Sequence, residues 1–406
     1  MSELKTIKAP HILLPKKGVD LTSFAVIACD QFTSNQEYWK QVHELVKDKP
    51  STYHMMFPEA YLGNVDEEKY IADINKTIDK YLADGTLVDQ GECFILVDRK
   101  TSVVDRRLGL VIAIDLEDYT YAKGVKSLIR ASEATIVERI PPRLKIRENA
   151  PVELPHILFL FDDKDESIIE PLYANRKSLE KVYDFELNQD GGHLTGYKVT
   201  NTDEIIKKFE ALLKKNNNGL LFIVGDGNHS LATAKAHWDK IKVNLSENER
   251  KSHPARYALV EALNIYDKGL IFEPIHRLLF NVGDDFLEGL KSRLDGDFVS
   301  FSYTKEKGKQ ELRMPKNAPM CYKIIQSYID EYLATHPKTS IDYIHDESEL
   351  VDCANKNPGS LAIAMPALTK GDVFDYIAAD DVLPRKSFSM GHATEKRYYL
   401  ECKRIK

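Results

Sequence analysis

The six residues Gly225-Asp226-Gly227-Asn228-His229-Ser230 bring together a carboxylate, an amide, an imidazole and a hydroxyl. Asp226 offers a metal ligand or hydroxyl acceptor, and His229 titrates near neutrality, the combination that general acid–base work uses. Gly225 and Gly227 permit positive φ and let a ligand approach the main chain closely. Asn228 or Ser230 is expected to cap a following helix, whose first N–H groups and positive dipole end suit a phosphate or carboxylate. The same residues also make an ordinary tight turn, with glycine for geometry and Asn, His and Ser for capping. Two titratable groups between glycines bring the functional and the bland readings level. His237, eight residues beyond His229 with Thr233 midway, reads as a polar helix face rather than a two-histidine metal site.

The elements around this turn follow from periodicity. An apolar run at 220–224 predicts a strand ending at the turn, and Leu231, Ala234, Trp238 and Ile241 mark one face of the helix after it. Upstream, 24–29 (FAVIAC) reads as a buried strand, and Ser34 with Glu37 as a capping box opening a helix through Tyr38, Val42 and Leu45. Tyr70, Ile74, Ile78 and Leu82 predict a second helix, and 94–97 with 108–114 a hairpin. Residues 127–138 carry a helical pattern that Pro141-Pro142 must interrupt. Further strands are expected at 156–161, 257–265, 298–303, 341–344, 361–365 and 397–404, and a helix at 205–213. Alternating strands and helices point to an α/β (α+β) class, mixed sheets with flanking helices. Soft boundaries divide the chain into 1–150, a central 151–280 carrying the turn, and 281–406.

Composition narrows the classes of function. With 406 residues, 43% hydrophobic and 29% charged, the chain is long enough for two or three packed units with sizeable cores. A net charge of −7 argues against a general nucleic-acid or acidic-membrane binder and leaves a small-molecule ligand as the expected partner. No apolar run reaches the roughly 20 residues of a membrane span, and 11–14 is too short for a signal-peptide core. Five scattered cysteines without a CxxC spacing fit reduced thiols, so a cytoplasmic location is expected. Cys29, between an apolar strand and a polar turn, reads as a buried strand-end residue before it reads as a nucleophile.

Cationic help for an anion site has three sources. Arg130, Arg139, Arg143, Lys145 and Arg147 cluster beside Ser132, Glu133 and Thr135, with Pro141-Pro142 holding Arg143 in a rigid loop. Glu133 is a candidate base for a small hydroxyl substrate while the arginines take phosphate oxygens; a solvated basic face is the alternative for each. Lys386, in the polar stretch 384–391, is a candidate to cover an anion, with an ordinary exposed loop as the equal alternative. His276, followed by Arg277 after Pro274, is expected at a loop or helix start as a second-tier site residue, with a salt-bridged structural Arg277 as the alternative.

Taken jointly, several of these segments resemble the bacterial and archaeal family catalogued as "domain of unknown function 1015". They are VIACDQFTS with Tyr38-Trp39, IRASEATIVERIPPRLKIR at 129–147, GGHLTGY at 191–197, GDGNHS, FEPIHR at 272–277, DYIHDE at 342–347 and LPRKSFSMG at 383–391. The turn is in turn similar to that of the ParB/sulfiredoxin-like superfamily, whose members include partition proteins, sulfiredoxin and free-serine kinases. That resemblance implies a turn and helix start holding nucleotide phosphates. Asn228 stands where the pattern has a histidine and Ser230 where an arginine is usual, which removes a bidentate phosphate fork.

Three functions compete. The first is nucleotide-dependent phosphoryl transfer to a small hydroxylated metabolite such as serine or phosphoserine. Asp226, His229 and Glu133 would be catalytic there. Gly225, Gly227, Asn228, Ser230, Arg130, Arg143, Arg147, His276 and Lys386 would bind ligand, and ATP or ADP with Mg²⁺ would be the cofactor. The second is a non-catalytic nucleotide- or anion-binding protein. The third, metal-assisted hydrolysis at Asp226, His229 and a distant carboxylate, ranks last for want of an HExxH or paired HxD spacing.

Overall fold

A computed structural model describes residues 4–122, 124–133, 135, 137, 140–379 and 382–406. Arg139 of the basic cluster lies outside them. The chain divides into two compact units. Unit 1 comprises Met1–Ala131, Thr135–Leu270 and His392–Lys406; unit 2 comprises Ser132–Ala134 and Ile271–Gly391.

Unit 1 is organised by a mixed sheet. Its spatial order is Glu180–Glu186, His193–Val199, Phe94–Lys100, Arg107–Asp115, Tyr257–Asn264, Leu158–Phe161, Phe222–Asp226 and Ile129–Ala131, with Ile7–Lys8 also paired to Arg107–Asp115. Alternation along a strand sends successive side chains to opposite faces. Phe94 and Leu96 join a core with Trp238, Phe209 and Leu231, whereas Ile95 and Val97 join one with Trp39, Ile74 and Tyr399. The first core is covered by the helices Thr202–Asn216 and Asn228–Lys242, the second by Gln36–Val46 and Glu67–Ala83. The expected hairpin, the helices at 70–82 and 205–213 and the strand entering the GDGNHS turn are all present.

Unit 2 has a five-stranded antiparallel sheet in the order Gly308–Met314, Phe298–Thr304, Leu361–Ile363, His276–Phe280 and Ser340–Ile344. Leu350 and Ala354 of the helix Glu347–Lys356 pack onto Leu278 and Ala362 of this sheet. The two units together make a mixed α/β protein.

Several local expectations are corrected. Within FAVIAC only Val26–Ile27 is strand, because Asp20 caps a short helix, Leu21–Phe24, that takes the first position. Phe24, Ala25, Val26, Ile27 and Ala28 are all buried, and a run apolar throughout does not distinguish strand from helical turn. The helix Gln36–Val46 is capped by Asn35, whose side chain accepts the Tyr38 N–H at 3.1 Å, and not by a Ser34–Glu37 box. Ile129–Ala131, expected as helix, is a strand because its backbone pairs in parallel with Phe222–Asp226. Pro141-Pro142 does not interrupt a helix; it lies in the first turn of Ile140–Arg147, where a missing N–H removes no helical bond. His276-Arg277 opens a strand, paired on both sides, rather than a loop or helix. The 397–404 stretch forms two short strands, Tyr398–Tyr399 and Lys403–Arg404.

Candidate functional site

Leu221, Phe222, Ile223 and Val224 are fully packed, so the strand runs rigidly to the turn and Asp226 is its last residue. Gly227 then caps the helix in the left-handed region at φ 83°, with no side-chain capping bond. A Cβ there would meet the backbone of Ile157 at 3.0 Å, so glycine is required by both conformation and space. Neither Asn228 nor Ser230 makes the expected cap. The Ser230 hydroxyl turns instead to His156 Nε2, 3.1 Å away. One Asp226 oxygen accepts the Gly227 N–H at 2.8 Å and the other pairs with Lys396 Nζ at 3.0 Å. Lys396 and Asp226 are both partly exposed at the opening of a 15-residue helix, whose first N–H groups have no acceptor within the helix itself.

His156 ties the turn to a second segment. Its Nδ1 lies 2.8 Å from the Tyr399 hydroxyl, which donates to Cys29 Sγ at 3.2 Å and accepts the Cys29 N–H. Its Nε2 lies 3.6 Å from an Asp30 carboxylate oxygen. Burial acts against the imidazolium, but the charge of Asp30, its hydrogen bond and the charges of Asp226 and Glu59 raise the His156 pKa above the ordinary value. Burial likewise opposes the Asp30 anion, yet His156, a hydrogen bond from Gln31 and the charge of Lys396 hold that carboxyl well below the usual range. Ser230 and Asp30 approach the same ring nitrogen. A nucleophilic triad needs hydroxyl and carboxylate on opposite nitrogens, so this is an ion pair beside a hydroxyl and not that device. Burial and the neighbouring Asp30 push the Cys29 thiol up to about 12, so it is no thiolate nucleophile at neutral pH.

A third pair completes the group: Arg143 of the helix Ile140–Arg147 binds the Glu59 carboxylate. Burial raises the Glu59 pKa, against the pull of Arg143, and Asp30 adds to the rise. Three acids (Asp30, Glu59, Asp226) and three bases (His156, Arg143, Lys396) thus gather in unit 1, each acid matched to one base.

The remaining sequence candidates have other surroundings. His229 is half-buried in the first helical turn, with its carbonyl accepting the Thr233 hydroxyl. Gly225 lies within the strand. Arg130 is buried and donates through Nε to the Ser127 carbonyl. Arg147 pairs with Glu153 at 2.6 Å, and Glu153 is also approached by Lys403. Glu133, His276 and Lys386 belong to unit 2. There Glu133 accepts the Lys386 N–H at 3.1 Å, and buried His276 accepts the Met365 N–H at 3.0 Å.

Asp30, Glu59, His156, Lys396 and Tyr399 were not among the sequence candidates. Asp30 had a usable trace, lying one residue past an apolar run in VIACDQFTS; the others have no spacing that links them to the turn. Among the described residues no group of three or more His, Cys, Asp or Glu is arranged to hold a metal. A groove of about 840 Å³ lies beside the C-terminal half of the same helix, away from the turn, lined by Lys235, Asp239, Lys242, Glu117 and Lys126. No described helix is long and apolar enough to cross a membrane, and all five cysteines are free.

No curated protein matches the chain in sequence. Among solved structures it is similar to a free serine kinase variant in complex with AMP, at 8% identity and a TM-score of 0.41 over 73% of this chain and 92% of that one. It is also similar to a conserved hypothetical protein from Pyrococcus furiosus, at 11% identity and a TM-score of 0.35 over 71% and 90%. SbnI with a C-terminal truncation, from Staphylococcus aureus, matches at 9% identity and a TM-score of 0.36 over 69% and 83%. At these scores no chemistry is carried across. The family comparison is decisive where these are not: a family model matches residues 13–402, nearly the whole sequence, and the chain belongs to the family described as "Protein of unknown function (DUF1015)".

Proposed function

We propose that the protein is a nucleotide-dependent phosphoryl-transfer enzyme acting on a small hydroxylated metabolite of the serine or phosphoserine type. The observation that carries this reading is the Lys396–Asp226 pair at the mouth of the helix Asn228–Lys242. Phosphoryl transfer asks a protein chiefly for positioning and charge compensation. Here the Lys396 ammonium beside Asp226 and the first-turn amides of the helix Asn228–Lys242 would supply both. Lys396 replaces the cation that Ser230 withholds by standing where an arginine is usual. Asp226 is the carboxylate that orients the acceptor hydroxyl and takes its proton. His156, whose imidazolium Asp30 favours against the effect of burial, stands behind Ser230 and holds that hydroxyl in place. Arg143 and Glu59 offer one charge of each sign to the two ends of an amino-acid substrate.

Magnesium fits this donor set. It is commonly held by one or two carboxylates with phosphate and water completing the shell, so a three-ligand protein cage is not required. Asp30 would hold it, leaving Asp226 to the acceptor hydroxyl, and when bound it would supply charge neutralisation on the phosphates.

Thermal-shift titration with ATP, ADP, AMP and phosphoserine up to millimolar concentration tests the reading. A nucleotide-dependent rise in Tm that Lys396→Ala abolishes is expected, together with phosphate exchange that Asp226→Asn stops while binding persists. No shift with any of the four ligands would end it. Binding without turnover in the native chain would instead leave a nucleotide- or anion-binding protein.

A further inference from the structure

Lys396 meets Asp226 from between two buried neighbours, Glu395 and Arg397, and each side of it is fixed differently. Downstream, the Arg397 carbonyl accepts the Ala28 N–H at 3.0 Å and its guanidinium pairs with Glu261 and Glu401; upstream, the chain arrives through a single 3-10 turn, Ala393–Glu395, whose first residues His392 and Ala393 are exposed. The upstream anchor comes from the sheet. Arg99 of the strand Phe94–Lys100 is 3% exposed, and its guanidinium reads three successive carbonyls of this segment. Nη2 donates to Thr394 O at 2.9 Å, and Nη1 to Glu395 O at 3.0 Å and Lys396 O at 2.6 Å. A fourth bond, from Nη2 to Gly191 O at 2.9 Å, ties the guanidinium to the turn between two sheet strands. Arg107, directly opposite Arg99 in the strand register, adds a bond to Glu395 O at 3.1 Å. Thr101 donates to the Glu395 carboxylate at 2.7 Å, and that carboxylate also accepts the His392 N–H.

The arrangement is costly. Two like charges lie side by side in the interior, and among the described residues neither arginine makes an ion pair with a carboxylate. Burial, and next the charge of Arg107, pull Arg99 down to about 9. A neutral side chain could tether a terminal segment at less expense. What only a planar fork achieves is to fix several carbonyls in one plane at once. Those carbonyls end at the residue whose ammonium enters the site.

We propose that Arg99 is a positioning residue of the site: its fork sets the main chain at residues 394–396 so that Lys396 Nζ lies against Asp226. The functional part of this inference rests on the reading of Lys396 as an anion-binding group; the positional part does not.

Amine modification followed by peptide mass spectrometry separates the two. Lys396 and Lys403 lie on the same C-terminal segment, but Lys403 Nζ is held independently by Pro254 O and by Glu153. In Arg99→Met, and in Arg99→Lys, which keeps a buried cation without the fork, modification of Lys396 should accelerate about tenfold or more while Lys403 stays as protected as in the native chain. Thermal stabilisation by inorganic phosphate and by AMP should fall with it. Both lysines accelerating together would show that Arg99 merely anchors the segment, and an unchanged Lys396 would show that it positions nothing; either result overturns the proposal. Selective acceleration of Lys396, in a protein that neither probe stabilises even in its native form, would uphold the positioning role and sink the phosphoryl-transfer reading instead. Should Arg99→Met fail to fold, Arg99→Lys carries the same comparison.

Discussion

Each unit contains a buried arginine that grips main-chain carbonyls beside a lysine, and the two lysines meet different neighbours. In unit 1, Arg99 holds residues 394–396, and Lys396 is matched to Asp226. In unit 2, Arg277 is fully buried between the rings of Tyr322 and Tyr343. It donates to Ile275 O and Lys386 O at 2.7 and 2.9 Å, and to Gln326 at 2.9 Å. Lys386 takes a left-handed φ of 57°, its N–H is held by Glu133, and its side chain is exposed with no ion pair among the described residues. An arginine fork therefore fixes where a lysine stands without deciding what it does. The acid opposite decides that: Lys396 has its charge compensated in a half-buried cluster, whereas Lys386 keeps its charge in solvent and the local strain resides in the backbone.

The largest effect should come from unit 2. Arg277→Met strands the carbonyls of Ile275, Arg385 and Lys386 and the Gln326 amide oxygen, a loss of about 3–5 kcal/mol. Both tryptophans, Trp39 and Trp238, belong to unit 1, so tryptophan fluorescence follows that unit, while hydrogen exchange of His276–Phe280 follows the other. Faster exchange in this strand with an unmoved fluorescence transition would sharpen the contrast; equal movement of both would erase it. Next, Gly227→Ala forces a side chain into a positive-φ position against Ile157 and should cost about 1–2 kcal/mol, read by the fluorescence midpoint in urea. An unaltered midpoint would refute the account of the cap.

Paired substitutions of the lysines follow. Lys396→Ala should weaken AMP at least ~10-fold, about 1.4 kcal/mol, whereas Lys386→Ala should change it less than ~2-fold. The reverse order would transfer the anion site to unit 2. The ion pair His156–Asp30 gives a pH test. The raised His156 value means that its stabilisation is complete below the ordinary value of 6.5 and is lost as pH rises through the folded value. The lowered Asp30 value means that its share is complete above the ordinary 3.8 and is lost as pH falls through the folded value. His156→Gln should therefore lower the fluorescence midpoint most between these limits and flatten its alkaline decline. A mutant curve parallel to the native one would contradict the pair. The smallest effect is a gain: Lys386→Gly relieves a left-handed non-glycine and should add up to ~1 kcal/mol to unit 2 by hydrogen exchange. A loss of stability there would mean that the side chain packs.

The sequence declared what local rules control. Apolar runs at 94–97 and 108–114 on either side of a charged segment announced a hairpin, and Leu231, Ala234 and Trp238 announced the helix after the turn. It misled where a distant partner decides, as when Phe222–Asp226 recruits Ile129–Ala131 into the sheet against a helical pattern. The same division governs the site. Asp226 and Gly227 stand out because glycine punctuates a strand end, but Lys396, His156 and Glu59 become meaningful only through pairings across long stretches of chain. Ser230 and Asn228 read as caps by residue type, and the αL conformation of Gly227 left them for other partners.

The return of His392–Lys406 to unit 1 sets an order of events during translation. Strand Val26–Ile27 emerges early, yet its partner Tyr398–Tyr399 leaves the ribosome only after all of Ile271–Gly391. Until then Asp226 has no ammonium beside it and Arg99 has no 394–396 carbonyls to grip. Contacts this distant along a chain form slowly, so the unit begun first is the one finished last. A chain halted before residue 392 would carry a nearly complete sheet with an uncompensated acidic mouth, and the Lys396–Asp226 pair would form only once 392–399 had followed unit 2.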